Sequence, residues 1–253
     1  VSYVARGKSV ARLIYKYVNT SERSMIMSQY KFSQPLLMPR GTHYGNNYWV
    51  FHSFKLGRRV TAFSNLEYFN LITLEMDPDV KYYCEQPLEA ALYEDGKECK
   101  TIFDVWVLYQ DGQEILQEVK YQSELDPKSM SQRVEQQLRR QKIWCQINHY
   151  HHVIRTEKEI LIGPYYIDNL TYFAAKVRRF SESVYGGNYS RIEQKVLNCL
   201  ETRYQTLQTL VDTGIFPDGY EIDALAMMYY KGRILFKNMD STIINGNTEV
   251  YLR

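Results

Sequence analysis

Cysteine is sparse in this 253-residue chain: Cys84, Cys99, Cys145 and Cys199 stand far apart, with no Cys-x-x-Cys pair. That spacing argues against a disulfide framework or a cysteine-built zinc site and points to reduced thiols. No apolar run approaches the length of a bilayer span, and no secretory signal opens the chain, so the expected setting is the cytoplasm, with no membrane partner. Internal repeats and low-complexity tracts are missing as well. Acids are nearly absent from the first quarter: residues 1–63 hold ten basic side chains against the single acid Glu22. That segment therefore carries +9 and the remainder −7, within a total of +2. A positive field gathered at one end is the footprint expected for a polyanion such as DNA. A solvated basic surface explains it equally well.

What is present is the composition of a folded protein, 45% hydrophobic and 24% charged, long enough for one or two domains. Ser2–Val18 reads as an amphipathic helix, and 19–47 is irregular around Pro35, Pro39, Gly41 and Gly45. Tyr48–Phe54 and Arg59–Phe63 form a predicted hairpin. Ser64 opens a helix to Met76, with Leu66, Phe69, Ile72 and Met76 on one stripe, and Pro78 stops it. Three strands follow, Val80–Gln86, Lys100–Tyr109 and Gln113–Tyr121, then a helix over Ser129–Gln146 and a strand over His149–Arg155. The order α-β-β-β-α-β predicts an α/β fold with a mixed sheet and helices on its faces. Ile162-Gly163-Pro164 marks a change of character, dividing the chain into domains 1–165 and 166–253. The second begins with a helix over Tyr166–Phe180 and a hinge at Gly186-Gly187. Helices over Ser190–Leu200, Thr206–Thr213 and Glu221–Tyr230 follow, then strands Arg233–Lys237 and Thr248–Leu252. This order is winged-helix-like.

The chemistry gathers on the hairpin between the second and third strands. Thr101–Tyr109 breaks at Gln110-Asp111-Gly112 and resumes through Glu118-Val119-Lys120. A two-residue Asp-Gly turn would pair residues whose numbers sum to 223, placing Asp104 and Glu118 on opposite faces. A three-residue loop with Gly112 in the left-handed region shifts the sum to 222. Asp104 then lies directly across from Glu118, with Lys120 on the same side. The second register is the expected one. Adjacent carboxylates repel and rise in pKa unless a cation joins them, and Mg²⁺, which prefers oxygen ligands, is the natural candidate.

Asp104 with Glu118-Val119-Lys120 on this element order resembles the PD-(D/E)xK, or restriction-endonuclease-like, nuclease core, with Phe103 where many members carry proline. Ser64-Asn65-Leu66-Glu67 adds a third acid, and Gly57-Arg58-Arg59, Glu85-Gln86-Pro87-Leu88, Arg139-Arg140-Gln141-Lys142-Ile143-Trp144 and Thr156-Glu157-Lys158-Glu159-Ile160 extend the match. Together they resemble the TnsA endonuclease subunit of heteromeric transposases over roughly residues 40–165. The resemblance implies a nuclease cutting the 5′ ends of a transposon in double-stranded DNA, beside a partner transposase that cuts the 3′ ends. It places Glu67, Asp104, Glu118 and Lys120 at catalytic positions. It implies one or two Mg²⁺ ions, with Mn²⁺ as a substitute, held by Glu67, Asp104, Glu118 and the Val119 carbonyl. Lys120 would polarise the water, its amine drawn down in pKa beside the cations. Arg58, Arg59, Arg139 and Arg140 are the candidate DNA contacts, with Arg133 and Lys142 beside them.

Plainer readings stand beside these. Ser64-x-x-Glu67 is also a capping box. Glu118 and Lys120 could be a surface pair worth under about 1 kcal/mol. Asp104, set among Ile102, Phe103, Val105 and Trp106, is the hardest to dismiss, because an unpaired buried carboxylate is costly. His149 and His151 would share a strand face and invite a zinc reading, but no further ligand stands at sensible spacing. The helix after Asp218 is acidic and apolar until Lys231, unsuited to reading bases. The C-terminal domain is therefore expected to dock a protein, and the resemblance implies the ATPase regulator of transposition. The alternatives are a stand-alone restriction or repair endonuclease of the same fold, or a non-catalytic DNA-binding adaptor.

Overall fold

The computed structural model describes residues 30–37 and 47–253; the helix expected over Ser2–Val18 and the basic side chains Arg6, Lys8, Arg12, Lys16, Arg23 and Arg40 lie outside them. β1 (Trp49–His52) and β2 (Arg59–Ala62) form the expected hairpin. Ser64 then caps α1 (Asn65–Met76), its hydroxyl accepting from the Glu67 amide, which satisfies one of the free donors at the helix start. β3 (Val80–Glu85) follows.

The strand expected over Lys100–Tyr109 is two strands in two sheets. β4 (Glu89–Glu94) and β5 (Lys97–Ile102) pair as a separate hairpin, and β6 (Val105–Tyr109) begins anew after a break at Phe103 and Asp104. The turn of the extra hairpin is Asp95-Gly96, both residues with positive φ, the two-residue turn that suits the twist of paired strands. β7 (Glu114–Val119), α2 (Gln132–Asn148), β8 (His151–Arg155) and a one-turn helix α3 (Glu157–Ile160) complete this half. His149, expected at the start of the last strand, instead caps α2 in the left-handed region, with φ 60°. The main sheet has the order β3-β6-β7-β8, antiparallel except for the parallel β7–β8 pair. Leaving the inserted hairpin aside, the α-β-β-β-α-β order holds, and the fold is mixed α/β.

Register is that of the three-residue loop. Val105 pairs with Gln117 and Leu108 with Glu114, the Gly112 amide donates to the Tyr109 carbonyl, and Gly112 has φ +91°. Side-chain alternation then sorts the third strand between two helices. The Gln117 carboxamide accepts from Asn70 of α1 and Val119 packs with Leu66, whereas Glu118 turns to Gln137 and Gln141 of α2. A slip of one residue would exchange these partners.

α4 (Tyr166–Glu182), α5 (Tyr189–Leu200), β9 (Gln205–Thr206), α6 (Leu207–Asp212), α7 (Glu221–Tyr230), β10 (Ile234–Phe236) and β11 (Glu249–Leu252) form the rest. The three strands make one antiparallel sheet in the order β10-β11-β9. α7, whose acidic, apolar character suggested a docking face, is a core helix: Asp223 through Met228 are all buried, and Asp223 faces Lys176 and Arg179 of α4. Its composition reflects an internal position, so no partner surface can be read from it.

The halves share a core through α1. Ile72 and Met76 belong to the cluster built by α4, α5 and α7, while Leu71 and Leu74 join the cluster under the main sheet. Lys55, counted above among the polyanion-seeking residues, is internal. Its ammonium donates to the carbonyls of Leu74, Asp77 and Val80 at 2.9, 2.6 and 2.7 Å, closing the C-terminal end of α1. Burial lowers its pKa to about 8.

Two outcomes are expected. Gly112→Ala meets no atom within 4 Å, so its cost is the backbone conformation alone, about 1–3 kcal/mol in urea unfolding at unchanged slope. A loss near zero would mean the loop does not need its left-handed residue. Glu85→Ala, which strands the guanidinium of Arg58, should cost about 3–5 kcal/mol in the same measurement.

Candidate active site

The site lies where the main sheet ends. Beyond Val105 the first of the two central strands leaves its ladder: the Asp104 amide donates to the Gln117 carbonyl at 3.1 Å, although Gln117 already pairs with Val105. Asp104 is thus displaced from the position directly across from Glu118 that an unbroken ladder would give it. Irregularities of this kind re-aim a side chain. The Asp104 carboxylate accepts from the Val119 amide at 2.7 Å, which ties it to the neighbouring strand.

Glu118 is fully enclosed, and three donors meet it. Lys120 Nζ and Gln137 Nε2 reach Oε1 at 2.6 and 2.7 Å, and Gln141 Nε2 reaches Oε2 at 2.7 Å. The surface-pair reading is thereby excluded, since the Lys120–Glu118 side chains are only 16% and 0% exposed. Burial first and the Asp104 charge second push the Glu118 carboxyl up to about 8. Glu67 approaches from the start of α1, and burial and Asp104 together raise it to about 7. Its carboxylate also accepts from the Phe63 amide at 3.1 Å, one residue before the cap, so it ties back the chain while facing the cleft. Burial alone would lower the Lys120 pKa, but Glu118 and Asp104 carry it above its usual value.

These four side chains line one cleft of about 850 Å³, together with Lys100, Gln132, Arg133 and Arg140. Among the described residues, no three His, Cys, Asp or Glu side chains converge into a ready-made metal cage. The donor set nevertheless fits a hard cation. Mg²⁺ is bound by one or two carboxylates with several waters retained, and carboxylates that raise one another's pKa are relieved when a cation joins them.

The predicted phosphate contacts divide. Arg58 is only 10% exposed and makes a two-pronged pair with buried Glu85, 2.7 Å on each arm, which holds it charged although burial opposes it. It braces β2 against β3, its guanidinium engaged by Glu85 and largely withdrawn from solvent, which the sequence could not show. Arg139 and Arg140 both pair with Glu94 of the inserted hairpin, and of the two only Arg140 lines the cleft. Arg59 is exposed but outside the lining. Gln137 and Gln141 were missed; their spacing of four on one helix was the available signal.

A pH dependence follows from the raised carboxyls. Between pH 4.5 and about 8 the folded metal-free protein binds more protons at Glu67 and Glu118 than the unfolded chain does. Their protonation therefore stabilises the fold fully below about pH 4.5, and that contribution is lost as pH rises through 7 to 8. Thermal melts should show this fall, and Asp104→Asn, which removes the second-largest cause, should flatten it. An equally steep fall in that variant would place the effect elsewhere.

Among curated proteins none matches the chain. A family model does: residues 77–157 match the description TnsA-like endonuclease N terminal, a span that holds Asp104, Glu118 and Lys120 and excludes Glu67. No helix among the described residues is long and apolar enough to cross a membrane. The segment that carries most of the candidate site is therefore similar to the N-terminal domain of TnsA-like endonucleases.

Proposed function

We propose that this protein is a Mg²⁺-dependent DNA endonuclease that cleaves the 5′ ends of a transposon as one subunit of a heteromeric transposase. The observation that carries the reading is the convergence of Glu67, Asp104, Glu118 and Lys120 on one cleft, three of them inside the matched segment. The main-sheet order is consistent with a restriction-endonuclease-like core. The helix-strand-helix-helix-hairpin order after α4 supports a winged-helix reading of the C-terminal half. With its third helix buried, that half offers no recognition helix to the bases, and its contact with the ATPase regulator of transposition rests on the family resemblance alone.

Each residue has a role that its surroundings allow. Glu67, Asp104, Glu118 and the Val119 carbonyl would hold the divalent ion. When bound, that ion supplies Lewis acidity and lowers the pKa of coordinated water. Lys120, fixed at 2.6 Å from Glu118, offsets negative charge where a scissile phosphate would sit. Arg133 and Arg140 line the approach and suit the phosphate backbone.

The test is cleavage of transposon-end DNA by the full chain with its partner transposase and Mg²⁺. Asp104→Ala and Lys120→Ala should each lower the rate by about 100-fold or more while the protein stays folded. Unchanged end processing in both variants would make the chain a DNA-binding adaptor. Efficient digestion of naked plasmid by the chain alone would make it a stand-alone nuclease.

A further inference from the structure

The geometry points to Gln137 and Gln141 as positioning residues that aim Glu118 at the divalent cation, an inference that rests on the metal-dependent reading above. The two lie one helical turn apart on α2 and so project from the same face. An ionised carboxylate offers about four lone-pair positions. At Glu118, Lys120 and Gln137 fill both on Oε1, and Gln141 fills one on Oε2. The acceptor position left over is on Oε2. Because the two oxygens are fastened to different side chains, the carboxylate cannot turn without breaking a bond.

Packing does not explain the amides. Gln141 is fully enclosed, and its Nε2 also donates to the Ile102 carbonyl at 3.2 Å, yet its Oε1 is buried with no hydrogen-bond partner. An apolar side chain of similar size would fill that space without stranding a carbonyl, which is costly in a protein interior. What the amide provides there is its pair of donors, one on Glu118 and one on the strand end that leads to Asp104. The same helix lines the cleft with Gln132, Arg133 and Gln136. One rigid element thus sets both the ligand carboxylate and the wall against which the nucleic acid would lie. Hydrogen-bond partners of a ligating group characteristically change metal affinity by about 10–100-fold when removed.

The experiment is a calorimetric titration of the full chain with Mn²⁺, without DNA, for the parent protein, Gln137→Leu, Gln141→Leu and Asp104→Asn. Each leucine variant should bind Mn²⁺ about 10–100-fold more weakly. The metal concentration giving half-maximal cleavage should rise by the same factor, with a smaller loss of rate at saturating metal. Circular dichroism reports folding, and the half-buried Gln137 position carries the test if Gln141→Leu does not fold. Parent-like Mn²⁺ affinity in the folded leucine variants, with affinity lost in Asp104→Asn, would overturn the positioning role alone. Parent-like affinity in Asp104→Asn would remove the metal-dependent reading, and this inference with it.

Discussion

A carboxylate withdrawn wholly from water is unstable unless donors replace its hydration, and Glu118 is such a group. Its three donors come from two elements: Lys120 follows it at the end of β7, and Gln137 and Gln141 reach across from α2. Satisfying it therefore requires the strand, the helix and the register between them to be right at once. Burial first and the like charge of nearby Asp104 second raise the carboxyls of Glu118 and Glu67. Local instability of this kind is tolerated because the surrounding fold over-determines it.

The over-determination comes largely from α1. Its buried residues face several directions, joining the core under the main sheet, the core of the C-terminal half and the small cluster of Leu66, Val119 and Ile160 behind the site. Glu75, also buried, accepts from the Ser53 hydroxyl, the Phe54 and Lys55 amides and the Tyr83 hydroxyl, fastening the first hairpin to the helix. Phe54 and Lys55 in turn meet the ring of Tyr230 at the end of α7. The helix that presents Glu67 is thus held by both halves of the chain.

Charges divide by depth rather than by residue type. Lys55 and Arg58, formally part of a basic N-terminal quarter, serve the interior, one closing a helix end and the other pinning two strands. Arg139 and Arg140 meet Glu94, which belongs to the inserted β4–β5 hairpin. That hairpin and α2 wall the cleft, Glu89, Lys100 and Ile102 on one side and Gln132, Arg133, Gln136, Gln137 and Arg140 on the other.

Much of this was legible from residues alone. Apolar periodicity and the Ser64 cap located α1 to within a residue, and Gly112 selected the three-residue loop and hence the pairing of the central strands, because few residues accept that backbone conformation. The Asp95-Gly96 turn was passed over, and the apolar run after Lys100 hid the break that separates two sheets. Local chemistry by itself determined α1, the Gly112 loop and the pairing of the two central strands. Only the tertiary structure decided that Arg58 is internal, that α7 is core, that Asp104 steps out of its ladder, and that two glutamines hold Glu118. Burial and long-range partners are properties of packing, and strand or helix pattern carries no record of what a side chain meets across the fold.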